Sequence, residues 1–361
     1  MSLDARFPKE TDDFFEILKH RVDSYFITNN ISRKAGSSFY IKAFFLVGTY
    51  VALYFMLLFS NNITVAFWSM AAMGPFAILI GINVAHDAAH GNVSKKKWLN
   101  TVFLHFFDLL GANSYMWKNR HVFSHHTFPN ILDNDADLKQ NPLVRIFPNS
   151  EVLPAHRYQF IYAPFLYLLY TINWLFFRDF QDFNQKKIGS LRIKKHPIRQ
   201  VIRLLFFKII YVSYIIVIPA IYSELTWPTF ILAFLCMNFF ASLLITLALI
   251  PSHVAENSLF LLPDEAGVMP HSWSHHQVLS VIDFATNNWF LNLFFGGFNH
   301  HIAHHLFPNI NHMHSPKITP IIKETAIEFG LPYNYEPSFI NAYLSHFRLL
   351  KNNGVQIKPV S

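Results

Sequence analysis

Gly296–His314 reads GGFNHHIAHHLFPNINHMH and carries six of the chain's 20 histidines without a Lys, Arg, Asp or Glu. On a helix, His301 and His305 lie four apart, and His304 shares their face three residues from His301. Imidazoles stacked this way converge on one point, which suits a metal ion better than an apolar core. Two further groups lie far upstream, HDAAH at 86–90 and HVFSHH at 121–126. A shared site requires the intervening chain to bring all three to one place.

That intervening chain is too apolar for a soluble domain. Charged residues make up 14% of the chain and hydrophobic residues 52%, with 39 Phe among 361 residues; soluble domains carry about a quarter charged residues. The net charge is +7, but the basic residues sit beside apolar runs instead of forming a stripe. This matches the positive-inside rule and anionic lipid headgroups and argues against nucleic acid. Cys236 is the single cysteine, so no disulfide or thiolate cluster forms within the chain and any metal must take nitrogen or oxygen ligands. The N-terminus, MSLDARFPKETDDFFEILKH, is polar and mixed in charge, unlike a cleavable signal peptide.

Residues 43–60 and 63–85 are uncharged runs separated by Asn61-Asn62, and 204–223 and 227–250 are joined by SELTWP. Each approaches the roughly 20 residues that cross a bilayer. Lys95, Lys96 and Lys97 mark the face carrying His86 and His90 as cytoplasmic. The apolar run 158–177 has Arg157 before it and Lys186, Lys187, Arg192, Lys194, Lys195, Arg199 and Arg203 after it. Both flanks therefore read as cytoplasmic, so this run lies in the interface or dips and returns; 98–116 reads similarly. The expected fold is an all-α integral membrane protein with four transmembrane helices in two hairpins, interfacial helices and a cytoplasmic helical cap holding a histidine-rich dimetal site. Both termini and the active site fall on the cytoplasmic side. The expected organisation is an amphipathic N-terminal segment (1–38), a membrane domain (39–320) and a C-terminal segment (321–361). The amphipathic helix near 10–30 either lies on the membrane surface or packs on the body.

Histidines clustered without a metal would repel once protonated, whereas neutral imidazole is a common metal ligand. Eight of them exceed the four positions of a tetrahedral zinc, and two metals fit the count better. Imidazole alone does not choose among zinc, copper, iron and nickel. No HExxH occurs, which removes support for a zincin-type protease.

HDAAH, HVFSHH and HHIAHH closely resemble the three histidine boxes of integral-membrane fatty acid desaturases. WKNRHVFSHHTFPNILDNDAD is similar to that family's second box with its acidic trailing loop. DFATNNWFLNLFFGGFNHHIAHHLFPNINHMHSPKI is similar to the third-box region of the front-end branch and its bacterial relatives, which often carry Gln where this chain has His301. The resemblance spans 80–320. It implies a non-haem di-iron enzyme that uses O2 and two electrons to remove two hydrogens from a fatty acyl chain held in a kinked tunnel. It implies as ligands His86, His90, His121, His125, His126, His301, His304 and His305. His253 matches a ninth histidine of stearoyl-type members, although the Asn four residues before it in that pattern is Leu249 here; ligand and structural readings of it both stand.

Partners implied by the resemblance are a fatty acyl substrate on a lipid, coenzyme A or a carrier protein, and the bilayer itself. Relatives with a fused haem domain carry HPGG, and this chain has only His196-Pro197, so an external ferredoxin- or cytochrome-type electron donor is expected. A bacterial inner membrane is favoured over the endoplasmic reticulum. The nearest rival is a lipid or carotenoid hydroxylase or ketolase on the same scaffold. A zinc-binding transporter or scaffold would need ionisable residues in mid-span, and those are nearly absent. His275 and His276 read as surface or substrate-edge residues, His300 as pointing off the ligand face, and His312 and His314 as residues behind the ligands or at the surface. Asp87 is expected to accept a hydrogen bond from a ligand imidazole, and Asn299 to make a water-mediated contact. Asp133, Asp135 and Asp137 read as partners behind the ligand imidazoles or, more simply, as a solvated loop.

Overall fold

Four of the long apolar runs become the four longest helices. In the computed structural model, which describes residues 5–355, the chain is mostly helical. After α1 (Phe14–Thr28) come the long helices α2 (Ser37–Phe59) and α3 (Ile63–Ala89). Asn62 turns the chain between them, its side chain accepting the N–H groups of Thr64 and Val65 at 2.9 and 3.3 Å and so capping α3. Then follow α4 (Lys97–Leu109) and α5 (Ser114–Lys118), and a bent pair, α6 (Pro154–Tyr167) and α7 (Tyr170–Phe183). The remaining long helices are α8 (Ile198–Tyr222) and α9 (Trp227–His253). Each of the four is long and apolar enough to cross a membrane. Phe44, Phe59, Ile198, Ile209, Ile221 and Trp227 are all largely exposed on them, a belt that water would not tolerate but lipid does.

Helix α3 is central, packing against α2 on one side and α9 on the other. Gly74 permits the α3–α9 approach: a Cβ there would lie 1.9 Å from the Met237 carbonyl oxygen. Small residues let membrane helices come this close. The α6–α7 pair bends by 70°, and the apolar run at 158–177 thus extends to Phe183 as two pieces. Thr171 anchors the second piece to α9, its hydroxyl 2.8 Å from Ser242 Oγ and 3.0 Å from the Asn238 carbonyl oxygen.

The rest of the chain forms short helices: α10 (Trp273–Ser280), α11 (Trp289–Phe294), α12 (His301–Leu306), α13 (Ser315–Glu328) and α14 (Phe339–Asn353). Helix α1 belongs with them. Its Phe14, Leu18, Val22 and Phe26 are buried against Ile302, Leu306, Ile318 and Ile322, so it is a packing helix and its apolar stripe does not face a membrane. Two small strand pairs complete the fold, Lys187–Ile188 with Leu191–Arg192 (antiparallel) and Asp283–Phe284 with Tyr335–Glu336 (parallel).

The Gly74 contact yields a test. Gly74→Ala forces the backbones of α3 and α9 apart and destabilises the protein by about 1–3 kcal/mol, the usual cost of overpacking. Gly48→Ala, on α2 with open space around it, leaves the midpoint of thermal unfolding in detergent unchanged or higher.

Candidate metal centre

One histidine box follows a π-helical turn and a second lies on one; there the backbone is wound wider than in an α-helix. Gly81–Ala85 is one such turn inside α3, immediately before His86, so the helix continues through the first box to Ala89. Asn119–His125 is the other, following α5. It sets His121 and His126 five apart on one face, with the His126 N–H bonded to the His121 carbonyl at 3.0 Å. The third box lies on α12, and its leading loop rests on the first π turn. Gly296, at φ +58°, lies so close that a Cβ would be 2.4 Å from the Ile82 carbonyl oxygen.

These supports gather the histidines into two groups of four, His86, His90, His121 and His304, and His125, His253, His301 and His305. His126 joins the first group, its Nε2 lying 3.1 Å from His121 Nε2. His86 Nε2 is also 3.1 Å from His121 Nε2. In the second group His253 Nε2 lies 3.1 Å from His125 Nε2 and 2.8 Å from His301 Nε2. All nine residues singled out from the sequence, His253 included, therefore stand in one cluster, buried except for the half-buried His90 and His304.

The outer nitrogens reveal which atoms carry protons. His121 Nδ1 lies 2.8 Å from Asp137 and His125 Nδ1 2.8 Å from Asp135. Carboxylates only accept, so both Nδ1 atoms are donors and both Nε2 atoms present lone pairs inward when the ring is neutral. His253 Nδ1 faces Asn130 Oδ1 at 3.2 Å, and Asn130 Nδ2 donates to the His253 and Ser280 carbonyls, which fixes the amide orientation. His305 Nδ1 donates to Gln277 Oε1 at 2.8 Å. The lone pairs of His125 and His253 thus point at each other, an arrangement that repels unless a cation lies between them. One proton could serve two nitrogens but not four.

Burial holds most of these rings neutral. Burial first, and neighbouring imidazoles second, push His126, His301, His304 and His305 well below the usual histidine range. For His125 burial pulls downward but the Asp135 carboxylate outweighs it, so the net shift is upward. Burial would raise the Asp137 carboxyl, yet His121, His125 and Arg178 hold it well below the usual carboxylate range. His90 Nε2, His304 Nε2 and His305 Nε2 are buried with no hydrogen-bond partner, a costly state for a polar atom unless something binds it. Metal–imidazole bonds of about 2.0–2.1 Å set neighbouring nitrogens roughly 3 Å apart, close to the spacing found. The residues fit a pair of metal ions.

Several surrounding residues depart from expectation. Asp135 is buried and Asp137 half-buried; they orient His125 and His121. Asp135 is buried, accepting from the Asn130, Asp137 and Leu138 N–H groups, whereas Asp133 is exposed at φ +61°. Asp87 accepts from no ligand candidate. Its partners are His312 Nδ1 at 2.6 Å and Asn311 Nδ2 at 2.7 Å, and it ties the first box to the chain beyond the third. His300 points away, to Thr319 and Asn292, and Asn299 donates to Asn292. His276 is fully buried beneath the second-box loop, 2.8 Å from the Pro129 carbonyl, while His275 pairs with Asp12. His314 meets Phe26 edge-on. Sequence reasoning missed Asn130, Gln277 and Asp283. Asp283 accepts the Ile302 N–H at 2.8 Å and a Tyr333 hydroxyl proton, and burial pushes its carboxyl up to about 7.

A cavity of about 650 Å³ runs against the cluster. His86, His121, His125, His253 and His301 line it, together with apolar residues such as Tyr50, Met73, Tyr211 and Met237 and polar ones such as Arg120, Asp137, Gln140 and Arg178.

Residues 61–337 match the fatty acid desaturase family. The chain is 32% identical over 349 residues to the acyl-lipid (8-3)-desaturase of Physcomitrium patens, covering 96% of this chain and 72% of that protein. It is 31% identical over 347 residues to the sn-1 linoleoyl-lipid 6-desaturase of a Synechocystis strain, covering 94% and 95%. Against the acyl-lipid (8-3)-desaturase of Mortierella alpina the identity is 28% over 368 residues, covering 98% and 80%.

The hydrogen bonds behind the imidazoles predict that Asp135→Ala weakens metal retention by about 10–100-fold, as loss of such partners does elsewhere, measured by chelator competition on the membrane-inserted protein. His304→Ala loses the first group's metal and keeps the second's.

Proposed function

The chain belongs to the fatty acid desaturase family and is a fatty acyl desaturase, an oxidoreductase; we propose that nine histidines hold two iron ions for an O2-dependent reaction on a lipid-borne acyl chain. The observation that carries the metal reading is the pair of opposed lone pairs on His125 and His253 within the two converging groups. His86, His90, His121, His126 and His304 hold one ion, and His125, His253, His301 and His305 the other. The iron pair supplies activation of O2, which no side-chain acid or base can do for an unactivated C–H bond. The balance is one –CH2–CH2– unit, one O2, two electrons and two protons giving –CH=CH– and two waters.

This chain's own residues bind, orient and exclude water. The apolar part of the cavity takes the methyl end of the chain, and His86, His125, His253 and His301 sit along its path. The bend between α6 and α7, tied to α9 through Thr171, shapes the wall beside them. Such preorganisation sets which carbons approach the reactive centre. At the polar part Arg120 pairs with Asp182 at 2.5 Å and Arg178 lies 3.6 Å from Asp137, so of the cations lining the cavity only Lys139, bonded to Gln185, lacks a carboxylate partner among the described residues. That favours a glycerolipid ester over a polyanionic thioester as acyl carrier, in keeping with the acyl-lipid names of the relatives.

The topology follows from the same reading. The long helices form two hairpins, the α6–α7 pair enters and leaves by one face, and the histidine cap and both termini lie on the cytoplasmic side. An external one-electron donor completes the system.

Expression in a host lacking the product, with a working donor, tests the reaction. Gas chromatography–mass spectrometry of the fatty acids should show a new double bond at one position and no hydroxy acid. Unchanged lipids alongside a folded, iron-loaded enzyme would contradict the desaturase reading, and hydroxy acids would transfer the chain to the hydroxylase rival.

A further inference from the structure

A second cavity, of about 460 Å³, is lined by residues from the end of α7, the small hairpin that follows it and the start of α8. It shares no lining residue with the first cavity. Helix α7 contributes to both, Gln181 and Asp182 to the first and Phe180 and Phe183 to the second. The second cavity holds Lys186, Lys194, Lys195 and His196, and no Asp or Glu lines it. Further along α8, Arg203 and Lys208 are paired with Asp108 and Asp179. By contrast, Lys186, Lys194 and Lys195 are exposed and have no carboxylate partner among the described residues. His196 Nδ1 lies 3.2 Å from the Tyr115 hydroxyl, and its Nε2 is buried with no partner. With Tyr115 donating, the neutral ring carries its own proton on Nε2, a buried donor that is costly unless an acceptor meets it.

Much of the remaining lining is apolar: Phe180, Phe183, Val201, Leu204 and Leu205. Leu205 is also exposed and belongs to a stripe of Ile198, Ile202, Leu205, Phe206 and Ile209, all exposed. Their spacing puts them on one face of α8. The stripe runs about 16 Å along the helix axis, close to one leaflet of a hydrocarbon core about 30 Å thick. Unmatched cations thus stand at the head of an apolar track on a helix long and apolar enough to cross a membrane.

We propose that this second cavity seats the phosphate of an anionic glycerophospholipid, with an acyl chain along the α8 stripe, as a bound lipid distinct from the substrate. A soluble phosphate or a nucleic acid would use the lysines and leave the stripe bare. A zwitterionic lipid brings a cation of its own to three lysines. The bound lipid bears on the second histidine box. Lys186 and Lys194 bracket the hairpin of Lys187–Ile188 and Leu191–Arg192, whose base is closed by the Ile193 N–H on the Lys186 carbonyl at 2.9 Å. At its tip Gly189, at φ +54°, lies so close to that box that a Cβ would be 2.1 Å from Ser124 Oγ. The Ser190 N–H donates to the Asn134 carbonyl at 2.9 Å. A headgroup joining Lys186 to Lys194 therefore holds the base of a hairpin whose tip rests on the turn carrying His121 and His125.

The test uses the full chain in detergent micelles, with native mass spectrometry to count and titrate bound lipid, and needs no catalytic activity. Wild-type protein should retain one phosphatidylglycerol and bind phosphatidylcholine about 10-fold more weakly. Lys186→Gln, Lys194→Gln and Lys195→Gln should each weaken phosphatidylglycerol about 5-fold, the worth of one basic residue at an anionic surface. Gln at Lys95, Lys96 and Lys97, equally basic but outside the cavity, should leave it unchanged. Ile202→Ser should also weaken the lipid, and inorganic phosphate alone should not displace it. Hydrogen exchange across residues 187–192 should slow when phosphatidylglycerol is bound. Equal retention of the two lipids by wild-type protein, equal losses from the two sets of lysine variants, no loss in Ile202→Ser, or displacement by inorganic phosphate would overturn the lipid site. Unchanged exchange with the lipid bound would overturn its link to the second box.

Discussion

Two nitrogen lone pairs, His125 Nε2 and His253 Nε2, face each other at 3.1 Å, and much of the fold bears on keeping them there. Asp135 fixes the first ring and Asn130 the second, and Asp135 also accepts the Asn130 N–H at 2.9 Å, so the two supports are themselves joined. His253 comes from the last turn of α9, the helix packed on α3, which carries His86. His346 on α14 secures that end, its Nδ1 donating to the Val254 carbonyl at 2.7 Å. Repulsion built in at this level is stable only with positive charge between the rings, and neutral, buried imidazoles are well suited to hold it.

The cluster is reached from four parts of the chain, and the approach of each histidine box depends on irregular backbone. One π turn leads into the first box, another carries the second, and Gly296 lets the third-box loop lie against the turn before the first. Asp87 then closes the assembly by binding His312 and Asn311, more than 200 residues away in sequence. The site is therefore an interface among helix ends. Damage to the α3–α9 contact at Gly74 should be felt at the metals as well as in stability.

Much of this was legible in the sequence. Long apolar runs separated by Asn61-Asn62 and SELTWP mark the four long helices, because hydrophobic length is a local signal. Histidine spacing marks the ligand candidates for the same reason. The supporting residues were not legible. Asn130 and Gln277 act through contacts 123 and 28 residues distant, and no spacing rule links them to a histidine. Asp135 and Asp137 look like any acidic loop until the chain buries them. Helix α1 has the stripe of a membrane-surface helix, and only the presence of Ile302, Ile318 and Ile322 opposite it shows where that stripe goes. The π turns leave no mark in composition at all.

The most direct measurement of the central claim is Mössbauer spectroscopy with quantitative metal analysis on protein purified after iron-57-replete expression. The account predicts about two irons per chain in two nitrogen-rich environments of equal weight, one from the five-histidine group and one from the four. A single iron environment at one ion per chain, or stoichiometric zinc despite replete iron, would contradict it.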